Sequence, residues 1–236
     1  MKYIQKGNGP HIYTRWCTDV TGTAKEDYRE LPLAEKEALL GALIQEQGEL
    51  CAYTMRRIAD DSSHVEHIKP QVVCRAHGVG EDLRYANLVA CFPRNGMKAR
   101  YRYGAQHKDN WWDNGGALFV SPLHPACEQR FNFDIDGTIS PVRDNPAAIV
   151  TIEVLSLDHE SLTEDRKRVI EEFIFGPTGD AALSAAQAMN AAATICNRFG
   201  QGHFAEFCIA IRHALGHYLN ILNKRARRNR AIRRRG

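Results

Sequence analysis

The stretch His-Val-Glu-His-Ile-Lys-Pro-Gln, residues 64–71, constrains this chain more than any other. Asp60, Asp61, Ser62 and Ser63 ahead of it are turn formers, and Pro70 forbids a long regular ladder after it. Between them only a short strand fits, from His64 to Ile68. Successive strand residues point to opposite faces, so Glu66 and His67 diverge unless the chain bends and aims both inward. A carboxylate and an imidazole brought together in that way suit a metal-held acid beside a general base. Asn87 lies downstream in Tyr85-Ala-Asn-Leu-Val-Ala-Cys91, and Cys51 precedes both segments.

The chemistry asks for these residue types. Phosphodiester hydrolysis needs an activated water and stabilisation of the phosphate and of the leaving oxygen. A divalent cation meets the second need and takes hard oxygen ligands, with an imidazole possible among them. A neutral imidazole takes a proton near pH 7. Glu66 offers the carboxylate and His67 the imidazole. The Asn87 amide oxygen could accept the other ring N–H of His67 and fix its tautomer. His64 shares its strand parity with Glu66 and is an accessory group on that face. A Glu-His pair alone is also common as a satisfied structural contact.

Around this centre the sequence predicts an α+β chain. Residues 1–30 show no sustained period. Leu33 to Gln47 reads as a helix with Leu39, Leu40, Leu43 and Ile44 on one side, closed by Gly48. Leu50–Ile58 reads as a strand or tight hairpin. From Phe92 to Gly116 an irregular excursion is expected; Lys98, Arg100 and Arg102 alternate within it, and of Trp111 and Trp112 one anchors the loop. Leu118–Leu123, Phe131–Ile135 and Ile149–Val154 read as strands, with Asp136-Gly137 a hairpin turn. Thr163–Phe175, 180–198 and Phe204–Leu222 read as helices. The regions are then 1–50, an N-terminal arm and helix; 51–155, a nuclease core with extended insertions; 156–223, a helical part; and 224–236, a basic tail.

That tail holds one lysine and seven arginines, while the whole chain is only +3, so the remainder is net acidic. Such a tail suits nucleic acid or an acidic partner surface. The seven cysteines form no Cys-x-x-Cys pair, which fits reduced thiols rather than a disulfide frame. No run of about 18 apolar residues occurs and no apolar signal core opens the chain, so a cytoplasmic protein with no membrane association is expected.

Three segments carry a resemblance: Glu46-Gln-Gly-Glu-Leu-Cys-Ala-Tyr-Thr-Met-Arg-Arg-Ile58, His64–Gln71 and Tyr85–Cys91. Over roughly residues 1–140 the chain resembles the His-Asn-His (HNH) endonuclease family that includes PtuB, the nuclease subunit of Septu anti-phage defence, also found beside some retrons. The resemblance implies a ββα-metal (His-Me finger) core, with His67 as general base, Glu66 as metal ligand and Asn87 orienting the base. It implies Mg²⁺ or Mn²⁺ as cofactor. The last metal ligand is Asp109 by the closer family register, with His107 its neighbour able to take the role; general HNH spacing points to Asn95. The family often has cysteines where this chain has Thr54 and Lys108. Cys51 and Cys91 alone do not complete a four-ligand zinc site, which argues against structural Zn²⁺ unless Cys74 or Cys127 joins them.

The implied partners are a PtuA-like ATPase, a DNA or RNA substrate and, in a retron setting, a reverse transcriptase with its DNA–RNA product. This chain has no phosphate-binding Gly-x-x-x-x-Gly-Lys-Ser/Thr loop of its own. The expected function is metal-dependent cleavage, of DNA first, as the effector of an anti-phage defence complex. The alternatives are an RNA endonuclease, for instance on transfer RNA, a non-catalytic nucleic-acid adaptor, or a structural scaffold.

Overall fold

The computed structural model describes residues 1–94, 96 and 101–233, without the side chains of 230, 232 and 233. Asn95, Lys98 and Arg100, and the last three residues of the basic tail, lie outside the described residues. The fold is α+β, with helices dominating two small antiparallel sheets.

The first thirty residues hold a helix that the sequence does not announce, α1 (His11–Val20). Its inward side is narrow: Tyr13 and Val20 are buried, and the rest is exposed or half-buried, which is why no period stands out. Helix α2 (Leu33–Glu46) follows Pro32 and buries Leu39, Leu43 and Ile44, as expected of its apolar side. Gly48 then turns the chain at φ +60°, a conformation that favours glycine.

The next segment is a tight hairpin joined by one bridge between Leu50 and Arg57. The buried Gln47 amide fixes it to the centre of the molecule. Its Nε2 donates to the carbonyls of Leu50 (2.7 Å) and Ala90 (2.8 Å), and its Oε1 accepts from the Ala90 N–H (2.7 Å). Strand β1 (His64–His67) pairs antiparallel with β2 (Leu88–Cys91), with Glu66 opposite Val89 and His67 opposite Leu88. All four residues of β2 are buried, so this ribbon crosses the core rather than edging it. Pro70 ends the strand region and opens a short helix, α3 (Gln71–His77), as proline at a helix start allows. One further helical turn, α4 (Ala105–Lys108), starts from Gly104, whose N–H donates to the Leu155 carbonyl at 2.7 Å.

Beyond the core, β3 (Phe131–Phe133) and β4 (Ile139–Pro141) make the hairpin that Asp136-Gly137 announced. Two strand expectations fail. Leu118–Leu123 forms no strand; its backbone is held singly, as where the Val120 N–H donates to Thr151 Oγ1 (2.7 Å). Ile149–Val154 lies inside helix α5 (Pro146–Leu155). Its β-branched residues favour a strand, but Asn145 caps the first turn by accepting from the Ala148 N–H, and Pro146 takes the first helical position. Ala148, Thr151, Ile152 and Leu155 are the buried face, at helical spacing.

Three helices complete the chain. Helix α6 (Glu160–Phe175) matches expectation. Helix α7 (Ala185–Thr194) is shorter than the alanine-rich stretch, because a Ser184–Gln187 capping box sets its start. Helix α8 (Cys208–Arg233) begins later than Phe204 and runs on through the basic segment. From Lys224 to Asn229 it is fully exposed. One apolar core runs from Met1 and Ile4 through α2 and β2 to Ile211 and Leu215 of α8. No described helix is long and apolar enough to cross a membrane.

Candidate active site

Glu66 and His67 end the one strand that has Pro70 close behind it, and both line a cleft of about 400 Å³. His64, Gln71, Arg75 and Asp109 line the same cleft. Both lie inside the paired strand β1, and the chain turns into α3 only after them, so the bend expected between them is not what brings them to one cleft.

The His67 ring is buried, with 5% of the residue exposed. Its Nε2 lies 2.9 Å from the backbone carbonyl of Asp82 and its Nδ1 lies 3.2 Å from the Gln71 amide nitrogen. A carbonyl can only accept, so Nε2 carries the proton and Nδ1 presents its lone pair. The Tyr28 ring meets the imidazole edge-on at 4.7 Å. Burial pushes the His67 pKa below its ordinary 6.5, more than the Asp82 carbonyl and the Glu66 charge raise it. The ring is therefore neutral at pH 7, as a proton acceptor must be.

Asn87 does not touch this ring, and here the sequence reading is corrected. Its Nδ2 donates to the Lys69 carbonyl (2.9 Å), its Oδ1 accepts from the Lys69 N–H (2.8 Å), and its own carbonyl accepts from the Ile68 N–H (3.0 Å). Asn87 thus clamps the backbone where β1 turns into α3, and Asp82 orients the imidazole. The Asp82 carboxylate is held by Arg75, 3.2 Å away. A side chain at Asn87 was legible as important; a backbone carbonyl at Asp82 leaves no mark on residue type.

Glu66 is half-buried. Burial alone would raise its pKa, but His64 and the Lys108 ammonium hold it below the ordinary carboxylate value. Lys108 Nζ donates to Glu66 Oε1 at 2.9 Å, and His64 Nε2 stands 3.9 Å from Oε2. His64 also donates its Nδ1–H to the Pro93 carbonyl at 2.6 Å.

Of the candidates for a further metal ligand, Asp109 lines the cleft and His107 does not. His107 Nδ1 donates instead to the Val154 carbonyl (2.9 Å), tying α4 to α5. Asp109 sits at φ +45°, a left-handed conformation that costs a non-glycine residue about 1–3 kcal/mol. Among the described residues no three histidine, cysteine or acidic side chains converge as a ready metal cage. Two carboxylates in one open cleft do suit Mg²⁺ or Mn²⁺, which keep several waters and share substrate phosphate oxygens. Cys51 and Cys91 are buried neighbours, but Cys74 lies against the Lys69 carbonyl and Asn87, and Cys127 against the Pro122 carbonyl.

Two larger clefts are lined mostly by other residues. One of about 650 Å³ shares His64 and Val65 with the site and mixes Lys36 and Arg94 with Asp60 and Asp61. The other, about 470 Å³, runs along α6 among charged side chains. Neither is lined by the His67 imidazole. Trp111 and Trp112 are both half-buried against the core, Trp111 with its ring 6.2 Å from Phe119.

No family model matches the chain. A curated protein of Vibrio cholerae serotype O1 biovar El Tor, named "Retron Vc95 putative HNH endonuclease", is 33% identical over 135 residues. The resemblance to the HNH endonuclease family is borne out. The match covers 55% of this chain and 62% of that protein, so the chain spans less than two thirds of its curated HNH relative. The small sheets among helices are compatible with an α+β, HNH-like fold. Sequence reasoning missed Gln71, Arg75, Asp82 and Lys108 as parts of the candidate site. For two of them a signal existed: Gln71 and Arg75 are spaced i, i+4 on a helix that Pro70 begins, which puts both on one face.

Proposed function

We propose that this chain is a metal-dependent endonuclease that hydrolyses phosphodiester bonds in DNA. The observation that carries the reading is the His67 Nδ1 lone pair, held by the Nε2 bond to Asp82, in one cleft with Glu66 and Asp109. His67 takes the proton from the attacking water, whose oxygen bonds to phosphorus as the bond to the sugar oxygen breaks. Gln71, which bonds Nδ1 at rest, must give way to that water. Arg75 lies in the same cleft, where it can meet a phosphate oxygen. Glu66 and Asp109 would hold Mg²⁺ or Mn²⁺, which supplies charge stabilisation for the phosphate and the departing oxygen.

The curated relative's name sets it in a retron. In line with that, we place this chain as the nuclease effector of an anti-phage assembly with a PtuA-like ATPase and, in a retron setting, a reverse transcriptase and its DNA–RNA product. The exposed basic face of α8, from Lys224 onward, supports a nucleic-acid or acidic-protein contact.

The test is a cleavage assay of the chain with its ATPase, on DNA and transfer RNA side by side, with Mg²⁺ or Mn²⁺ and with chelator. DNA cut only with metal is the expected result. Cleavage of transfer RNA alone replaces the substrate, and cleavage indifferent to chelator removes the metal.

A further inference from the structure

Lys108 takes no part in the proton transfer or the ligand set above, yet its side chain is wholly buried. Its Nζ donates to Glu66 Oε1 at 2.9 Å and to the His67 backbone carbonyl at 3.1 Å. Among the described residues Glu66 is its one ion-pair partner. A buried ammonium is costly unless paired and hydrogen-bonded, and an apolar residue of similar length would fill the space without that cost. A plain staple between α4 and β1 would explain the burial. It would not explain why the charge rests on the carboxylate that faces the cleft.

We infer that Lys108 is a resident cation of the site. As a positioning residue it fixes Glu66 through Oε1, leaves Oε2, on the His64 side, for a divalent ion, and by its own charge weakens that ion's binding. The inference rests on the reading of Glu66 as a metal ligand. Two cations on one carboxylate repel each other, and poor screening in a half-buried site strengthens the effect. The protein alone then holds Mg²⁺ or Mn²⁺ weakly, and substrate phosphate, which adds negative charge, completes the binding. Activation of the site is thereby tied to the arrival of nucleic acid.

The test is Mn²⁺ binding by the full chain without substrate, followed by isothermal titration, with circular dichroism as the check on folding. Lys108→Met is expected to bind Mn²⁺ at least about tenfold tighter than the wild type. Measurable binding where the wild type shows none counts the same way. Lys108→Gln, which is polar, uncharged and one bond shorter, carries the same expectation if the methionine variant does not fold. Glu66→Gln made in the Lys108→Met background is the control and should lose the binding that Lys108→Met gains. If the uncharged Lys108 variants bind Mn²⁺ no more tightly than the wild type, the resident-cation role is overturned, whatever becomes of the metal site. If the Glu66→Gln double variant binds as tightly as Lys108→Met, the metal role of Glu66 falls first, and that of Lys108 with it.

Discussion

His67 Nε2 lies 2.9 Å from the carbonyl oxygen of Asp82. That contact joins the end of β1 to the turn ahead of β2, and it settles which ring nitrogen is available for chemistry. Replacing His67 with alanine removes the lone pair. Cleavage should fall by about 10²–10⁴-fold, while circular dichroism and partner binding stay near wild type. A variant that still cuts at the wild-type rate would remove the base assignment.

The same ring sets the acidic limb of the pH profile. The base works only when neutral, and burial holds its pKa below the ordinary 6.5. Activity should therefore persist as pH falls to 6.5 and be lost below it, as the folded ring takes its proton. A profile of kcat/KM against pH locates the midpoint. A midpoint above 6.5 contradicts the buried, neutral imidazole.

Asn87→Ala should act through the backbone. It leaves the Lys69 N–H without its side-chain partner and the Lys69 carbonyl with only the Cys74 thiol, at about 1–3 kcal/mol for a group left buried and unpaired. A lower Tm and slower cleavage are expected, with the acidic midpoint unchanged because Asn87 does not meet the ring. A shifted midpoint at unchanged Tm would restore the ring contact that the sequence suggested.

Truncation before Lys224 removes one lysine and seven arginines. DNA or partner affinity should drop, most visibly at low salt. The slope of log affinity against log salt should flatten by roughly 0.9 for each phosphate that the shortened chain no longer neutralises. Fluorescence anisotropy across a salt series reads both. Unchanged affinity for DNA and partner would mean that this end of α8 is only a solvated helix.

His213 supplies a pH dependence of stability independent of the site. It packs on the Phe133 ring at 5.8 Å, and burial first, then Arg212, pushes its pKa down to about 4. Between pH 6.5 and 4 the unfolded chain binds a proton that the folded chain refuses, so stability present above 6.5 declines through that window. Denaturant midpoints over this range should show the decline, and His213→Gln should flatten its share of it. An identical slope in the variant would assign the effect to other groups.

The chain's order of residues by itself determined the strand at His64, the helix after Pro32, the hairpin at Asp136-Gly137 and the Glu66-His67 centre. These rest on local rules: turn formers, a proline that cannot extend a ladder, and period. Helix α5 reads as a strand in the sequence because β-branched propensity is conspicuous there, and a cap and a proline at its start outweigh it. Helix α1 is hidden because its buried face is only two residues wide. Tertiary structure alone decided that Asn87 grips Lys69, that Asp82 orients His67 through a backbone carbonyl, and that Lys108 lies on Glu66. Each is a contact between segments far apart in the chain, made by groups whose reach depends on how α3, α4 and β2 pack around β1. A backbone carbonyl is the same at every residue, and a lysine reads as surface until its counter-charge is found inside.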